Sequence, residues 1–524
     1  MKTNLLLPVL TVVVVAVSAQ AGISKEATAA GAKPNTAAQF MPVGQPPGAM
    51  EQSVRRLSLE DCIELALQKN LDLRIERYNP QLRLFDLNIA RGAAYDPVFS
   101  ASAEHDYEET GSRLLSGSFI VPGSKSKDDL FSSGLTGLLP WGMTYNLRAS
   151  ASDRYGNDAS GPFENTSGSA SVTLTQPLLR DFWADSSRLN ISVAKNRLQY
   201  SEQSLRLQLI NTVSEVENTY YELIYAQENV KVQEKSLQLA EQLFKENKKR
   251  VEVGVMAPLD EKQAEAQTAA RRADLLAAQR ELAKQQNTLK RLISDDYAAW
   301  YGILIEPAEP LGAVKQIFSA QDSWSSGLNN RPELLQYKMD MEKAGIELKY
   351  YRNQVMPQLD VFGTYGRSGS QQEFSGVFDD IRRGDQPYYG YGVQFSIPLG
   401  NLAARKRYKS GKLTVEQAVL AVKNFEQTVM FEIDEAIKQA QSSYERVQAT
   451  REARDFAEAA LDAEQKKLAN GKSTSFEVLR LQSDLTAARS AEIRALADYN
   501  NALTELARVE GNTLERRNIN VTAK

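Results

Sequence analysis

Between Lys412 and Asn470 the chain has neither Gly nor Pro, and its apolar residues Met430, Ile433, Ile437, Ala440, Tyr444 and Val447 fall at alternating steps of three and four. That 3.5-residue period predicts a coiled-coil helix. A run of roughly 60 residues makes a rod of about 90 Å at 1.5 Å per residue. A second such stretch runs from Leu178 to Val253, with Leu209, Val213, Val216, Tyr220 and Leu223 at the same steps. Each ends at a glycine, Gly254 or Gly471, and reverses into a further helix: one from Leu259 to about Ile293, the other carrying Leu496, Tyr499, Leu503 and Leu506. A narrow apolar seam needs a partner helix along its whole length. The pattern therefore predicts two long helical hairpins.

Ahead of each rod the period changes to two. Phe99, Ala101, Ala103, His105 and Tyr107 alternate with Ser100, Ser102, Glu104 and Asp106, and Ala170, Val172 and Leu174 alternate with small hydroxyl residues. In the second half Tyr389, Tyr391, Val393, Phe395 and Ile397 face opposite Gly390, Gly392, Gln394 and Ser396. Alternation of this kind predicts strands with one apolar and one polar face. A segment at Leu359 to Tyr365 reads as another strand, and Ser133 to Leu139 with Met143 to Ala151 as an additional hairpin that the second half lacks. Helices precede the strands: Ser58-Leu59-Glu60-Asp61 supplies an N-cap and early acids, and Arg331-Pro332-Glu333-Leu334 places proline in a first turn. The first of these helices is expected to break near Asn70 and to kink at Pro80.

The chain is thus a duplicated unit of helix, strands and long helical hairpin. Residues 57–294 form the first repeat, with strands at about 97–177 and the hairpin at 178–294. Residues 327–511 form the second, with strands at about 358–398 and the hairpin at 403–511. A connector with little regular structure is expected at 295–326, a flexible arm at 22–56 and a tail at 512–524. Residues 1–21 have the order of a cleavable export signal: Lys2, the apolar run Leu5–Val17, then Ala19-Gln20-Ala21. An apolar run of about 13 residues falls short of the ~20 that span a bilayer as a helix.

Composition removes most rival chemistries. The net charge of −4 comes from 62 basic and 66 acidic residues with no strongly basic domain, which argues against nucleic acid as a partner. One cysteine, Cys62, and one histidine, His105, assemble no disulfide, zinc cluster or histidine-based triad, so neither a cofactor nor an enzymatic role is expected. Cys62 reads as a small apolar residue packed on the first helix. With no later segment apolar enough for a spanning helix, entry into a membrane would be by β-strands. About two strands per repeat cannot close a barrel of eight or more, so copies of the chain must pool their strands. The alternative is a coiled-coil tether of the cell envelope without a channel.

Several stretches together resemble the TolC-type outer membrane efflux proteins. They are Leu57-Ser58-Leu59-Glu60, Asn70-Leu71-Asp72-Leu73, Arg331-Pro332-Glu333-Leu334, the strand ends Gln176-Pro177-Leu178-Leu179 and Ile397-Pro398-Leu399-Gly400, and the two glycine turns. The resemblance covers about Leu57 to Gly511. It implies a mixed fold, an all-α coiled-coil barrel plus a transmembrane β-barrel of twelve strands, both completed by trimerisation. The homotrimer would sit in outer membrane lipid of a Gram-negative-type cell, with a long periplasmic extension. Its implied partners are a periplasmic adaptor and an inner-membrane efflux pump or ABC exporter, for efflux or type I secretion.

The same resemblance assigns sites. Gly254, Val255, Met256 and Asp260 in the first turn, with Gly471, Lys472 and Ser473 in the second, correspond to tips where adaptors dock. Glu477 and Arg480 stand where acidic rings line the periplasmic aperture, and Arg480 departs from that pattern by replacing an acid. Three apart on a helix, the two are placed to pair with each other. Ser473 stands where an arginine holds the closed state, so the same lock is not expected. Tyr389, Tyr391, Val393, Phe395 and Ile397 would face lipid.

Overall fold

The protein is described by a computed structural model covering residues 53–519 except 116–118, 122, 159 and 255. The expected export signal lies outside the described residues.

The chain opens with β1 (Ser53–Leu57), followed by α1 (Leu59–Lys69), α2 (Leu71–Glu76) and α3 (Tyr78–Tyr95). Ser58 starts α1 through a reciprocal cap: its Oγ accepts from the Asp61 amide at 3.1 Å, and its own amide donates to the Asp61 carboxylate at 3.0 Å. Such a cap is worth about 1 kcal/mol. Asn70 breaks the helix by leaving the helical conformation, accepting from the Leu73 amide and donating to the Leu292 carbonyl, both at 3.0 Å. Pro80 lies in the first turn of α3, where a missing amide costs nothing, and the helix is interrupted three residues earlier, at Arg77. Leu59, Cys62, Ile63, Ala66 and Leu73 are buried against the first rod, and burial pushes the Cys62 thiol up to about 12.

The strands of the first half are β2 (Val98–Thr110), β3 (Arg113–Leu115), β4 (Phe119–Val121), β5 (Ser124–Leu138), β6 (Thr144–Asp158) and β7 (Gly161–Pro177). The first rod, α4 (Ser186–Glu252), returns as α5 (Pro258–Ile293). After a single 3₁₀ turn at Ala298–Trp300 come β8 (Ile303–Pro307), α6 (Ala320–Asn330) and α7 (Pro332–Gln354). The second half continues with β9 (Gln358–Gln371), α8 (Phe374–Arg383), β10 (Pro387–Ser396), α9 (Leu402–Ala469), α10 (Ser475–Val509) and α11 (Thr513–Arg516).

Within each hairpin the contact is an apolar seam. Val429, Ile433, Ala440 and Val447 of α9 are buried, with Met430 and Tyr444 at its margin. Between the hairpins, α4 meets α10 through a polar ladder: Glu217 accepts from Thr504 at 2.7 Å, Asn229 from Ser490 at 2.9 Å, and Ser236 from Thr486 at 3.1 Å. Arg494 spans the same contact with a two-bond grip on Glu222, each bond 2.7 Å. Paired in this way the polar groups stay satisfied while fixing the vertical register of the two hairpins.

Six strands form one antiparallel sheet in the order β10-β9-β7-β6-β5-β2. The register puts Phe99, Leu135, Leu147, Val172, Tyr365 and Tyr389 on one face. On the other face neighbouring strands are stitched by hydroxyl pairs: Ser102–Ser132 at 2.8 Å, Ser150–Ser169 at 3.1 Å and Thr173–Thr364 at 3.0 Å.

Several boundaries differ from the sequence-based expectation. Four strands of the sheet come from the first half and two from the second; the expected additional hairpin is β5 and β6, each longer than the 133–139 and 143–151 read from sequence. Residues 53–56, expected within a flexible arm, together with Leu57 pair in parallel with β8 inside the expected connector, Val54 opposite Leu304. Residues 178–185 are irregular, so the first rod starts at Ser186 rather than Leu178. The second rod starts at Leu402 and passes through Gly411, where a Cβ would lie 3.0 Å from the Tyr351 ring of α7. The tail is not loose at its start, since α11 buries Leu514 and Arg517 donates to the buried Glu217 at 2.6 Å.

Candidate functional site: an amphiphilic wall and two tips

The sheet's apolar face is exposed. Tyr389 and Tyr391 are 78% and 85% accessible, and Phe99, Val393 and Phe395 are open as well. Ile397 is half accessible and lies one residue past the end of β10. Large accessible apolar area on one face, with serine and threonine on the other, is the pattern of a wall between hydrocarbon and water. No described helix is long and apolar enough to cross a membrane.

Sequence reasoning missed α8, which lies on the apolar face near the outer ends of the strands. Its seat is made by two glycines that are cross-strand partners: a Cβ on Gly168 would meet Val377 at 2.7 Å, and one on Gly369 would meet Asp380 at 2.8 Å. Phe374 packs edge-on against Phe131 of β5 at 5.8 Å and against Phe378 at 5.2 Å. Asp380, buried in this contact, is satisfied by Gln371 at 2.7 Å and Arg383 at 3.1 Å. The signal was present in the alternation of Phe374, Val377 and Phe378 at helical steps.

At the opposite end each hairpin turns on a glycine with positive φ, +76° at Gly254 and +70° at Gly471. An added Cβ would meet nothing within 4 Å at either place, so the backbone conformation and not crowding selects glycine. At the second turn the Lys472 amide donates to the Lys467 carbonyl at 2.9 Å and the Gly471 amide to Leu468 at 3.1 Å, the two bonds of a Schellman closure. The tips are joined by a buried bond of 2.6 Å from Asn247 of α4 to Ser475 of α10, beside Leu243, Leu461, Val478 and Leu479. Met256, Asp260 and Ser473 are partly exposed, Lys472 is exposed, and Val255 lies outside the described residues.

Arg480 and Glu477 pair at 2.9 Å, and the guanidinium also lies 3.8 Å from Asp484. The hydrogen bonds that Arg480 donates to Glu477, then that carboxylate's charge, hold the arginine above its ordinary value, so it carries a full positive charge under all relevant conditions. Ser473 donates to Glu464, which also binds Lys467 at 2.8 Å. Those bonds, Lys467 first, lower the Glu464 carboxyl below its ordinary 4.5. Two apolar residues were not singled out from sequence: Leu259 and Phe476, 65% and 56% accessible, each the second residue of the returning helix. They fall off the 3.5-residue seam, and only their repetition at matched places could have marked them. Among the described residues no group of three His, Cys, Asp or Glu side chains is arranged to hold a metal.

An amphiphilic sheet mounted on paired coiled-coil rods defines the helical-barrel and β-barrel architecture of outer membrane channels. Residues 143–294 and 324–512 match the family model described as "Outer membrane efflux protein", and the chain belongs to that family. It is 24% identical over 335 residues to the outer membrane efflux protein BepC of Brucella suis biovar 1, covering 64% of this chain and 70% of BepC. It is 26% identical over 234 residues to the alkaline protease secretion protein AprF of Pseudomonas aeruginosa, covering 44% of this chain and 46% of AprF. In fold it is similar to the CmeC outer membrane channel of Campylobacter jejuni, with a TM-score of 0.63, 16% identity, and coverage of 87% of this chain and 86% of that one.

Proposed function

We propose that three copies of this chain assemble into a conduit running from the outer membrane to a periplasmic entrance, through which substrates leave without chemical change. The observation that carries this is the pairing of an exposed aromatic face with a small-hydroxyl face on one sheet, set on rods of 67 and 68 residues. At ~1.5 Å per residue each rod is about 100 Å long. A diffusion pore has no use for such rods, and a tether has no use for such a sheet.

In this reading Tyr389, Tyr391, Val393, Phe395 and Ile397 meet lipid, while the serine and threonine face lines water. Gly254, Val255, Met256, Asp260, Gly471, Lys472 and Ser473 form the surface that a periplasmic adaptor engages, with Leu259 and Phe476 as apolar contacts standing out from it. Glu477 and Arg480 ring the aperture three times over. The pair carries no net charge, so the ring is not a simple cation filter, and the bond from Ser473 to Glu464 steadies the turn. An inner-membrane pump or ABC exporter supplies the energy, and the family's efflux and secretion members leave small molecules and proteins as the two cargo classes. The N-terminal 21 residues serve as a cleaved export signal.

Reconstituting the purified full-length protein in planar bilayers tests this reading. Discrete single-channel steps are expected. Complete electrical silence of a correctly assembled oligomer, including after substitution of Gly471, would leave the tether in its place.

A further inference from the structure

Resting on the trimer proposed above, we infer that the membrane wall of this protein is an eighteen-stranded barrel, to which each copy contributes six strands rather than four. The inference begins with which strands are in the wall. β5 and β6 are not a flap beside a four-stranded sheet; they lie between β2 and β7, which do not pair directly with each other among the described residues. β5 pairs with β2 over thirteen positions, from Val98↔Thr136 to Thr110↔Ser124, and with β6 from Leu138↔Thr144 to Lys125↔Asn157.

The inserted hairpin also continues both faces of the wall. Phe131, Leu135, Tyr145 and Leu147 extend the apolar face, while Ser132 and Ser150 extend the hydroxyl face, bonded to Ser102 and Ser169 on either side. Its inner turn is fixed to the rod below. Arg188, in the first turn of α4, donates to the Pro140 carbonyl at 2.6 Å and the Phe182 carbonyl at 2.7 Å, and a Cβ on Gly142 would lie 3.1 Å from the Arg188 guanidinium. At its outer end α8 lies across the face, touching Phe131 of the inserted hairpin as well as Gly168 and Gly369.

The two edges then decide the partner. Among the described residues β2 and β10 each have a paired neighbour on one side only, which leaves a row of backbone donors and acceptors on the other. Exposed within a bilayer, such a row is untenable and must be paired. The sheet is antiparallel throughout and has an even number of strands, so β2 and β10 run in opposite senses. A second copy therefore presents its β10 to this β2 as an ordinary antiparallel neighbour, and three copies of a six-stranded sheet close eighteen strands. With strands ~4.8 Å apart and tilted by about 40°, such a wall is about 36 Å across between backbones, against about 24 Å for twelve strands. The cross-section is roughly doubled, and the inward face is mostly serine, glycine and threonine, with the larger Phe362 and Tyr388 lying over Gly392 and Gly366. The membrane section would then be the widest part of the path and would impose the least size limit on cargo.

The test uses the full-length protein in lipid nanodiscs, with electron cryomicroscopy to count strands and native mass spectrometry to count chains independently. Three chains and eighteen strands, with β2 of each against β10 of the next, is the expected result. Three chains and twelve strands, with residues 124–158 outside the wall, would overturn this inference and leave the conduit standing. Two chains closing twelve strands would overturn both. A cysteine pair gives a second readout in outer membranes: Ser102→Cys with Ser132→Cys should oxidise within one chain in most molecules, with buried Cys62 left in place. If β2 instead lies against β7, that pair stays reduced and Ser102→Cys joins Ser169→Cys.

Discussion

The two repeats agree in their rods and disagree in their sheets. α4 and α9 differ by one residue in length, 67 against 68, and α5 and α10 by one, 36 against 35. The sheet takes four strands from one repeat and two from the other. The difference follows from what each element must match. A rod packs beside its neighbours from end to end, so an unequal rod leaves apolar seam unpaired. A strand pair added inside an antiparallel sheet only moves its neighbours apart and preserves every pairing rule. The tunnel section is thereby fixed in length, whereas the membrane section is free to change in girth.

The largest test of this contrast is at the turns that make the rods equal. Gly471→Pro requires φ near −65° where the chain has +70°, and it removes the amide that closes the turn. Export in cells should fall by more than about tenfold while a heat-resistant oligomer still reaches the outer membrane. Normal export would remove the tip from the mechanism. Gly254→Pro, which demands the same reversal of φ and loses the Gly254 amide bond to the Val251 carbonyl at 2.9 Å, should show a loss in the same assay.

Next in size is the pinning of each repeat by a buried tyrosine. Tyr220 donates to the Leu57 carbonyl at 3.1 Å and accepts from the Ala308 amide at 3.2 Å, and Tyr499 donates to the Val314 carbonyl at 2.5 Å. Tyr220→Phe leaves a buried amide and carbonyl with one partner fewer and should cost about 1–2 kcal/mol. Tyr499→Phe should cost about 1 kcal/mol, both read by denaturant unfolding of the detergent-solubilised protein. Equal costs would mean that the β1–β8 pair adds nothing to the first repeat.

The smallest effect concerns pH at the second tip. Glu464 has a folded value below its ordinary 4.5, so its bonds to Lys467 and Ser473 are fully present above that value. They are lost as pH falls through the lowered value. Amide exchange at residues 468–474 should therefore rise as pH falls below 4.5, while the first tip, where Glu265 holds Lys262 within its own helix rather than across the turn, changes less. A uniform rise at both tips would assign the effect elsewhere.

How much of this was legible in the sequence depended on whether an element states its own period. The rods did, because Leu209, Val213, Val216, Tyr220 and Leu223 repeat along one seam and all are buried. The alternation of Tyr389, Tyr391, Val393 and Phe395 likewise gave a strand with one face open. Elements defined by a distant partner were hidden. β1 is a five-residue segment with two arginines whose only justification is a parallel pairing some 250 residues away. The reason for a glycine inside the second hairpin at Gly411 was hidden because the residues that approach it closely, Tyr351 and Leu348, lie on another helix. The Glu477–Arg480 pair was readable from spacing alone, whereas the Ser473–Glu464 contact crosses a turn and was not.

The central claim is that both repeats line one water path that narrows at the second tip. The most direct test is the reversal potential of single channels under a potassium chloride gradient, for the parent and for Arg480→Asp. That change turns a neutral pair into two acids in every copy, so the cation-to-anion permeability ratio should rise by at least about threefold. An unchanged ratio in a conducting, correctly assembled variant would show that ions do not pass Arg480, and would contradict the account.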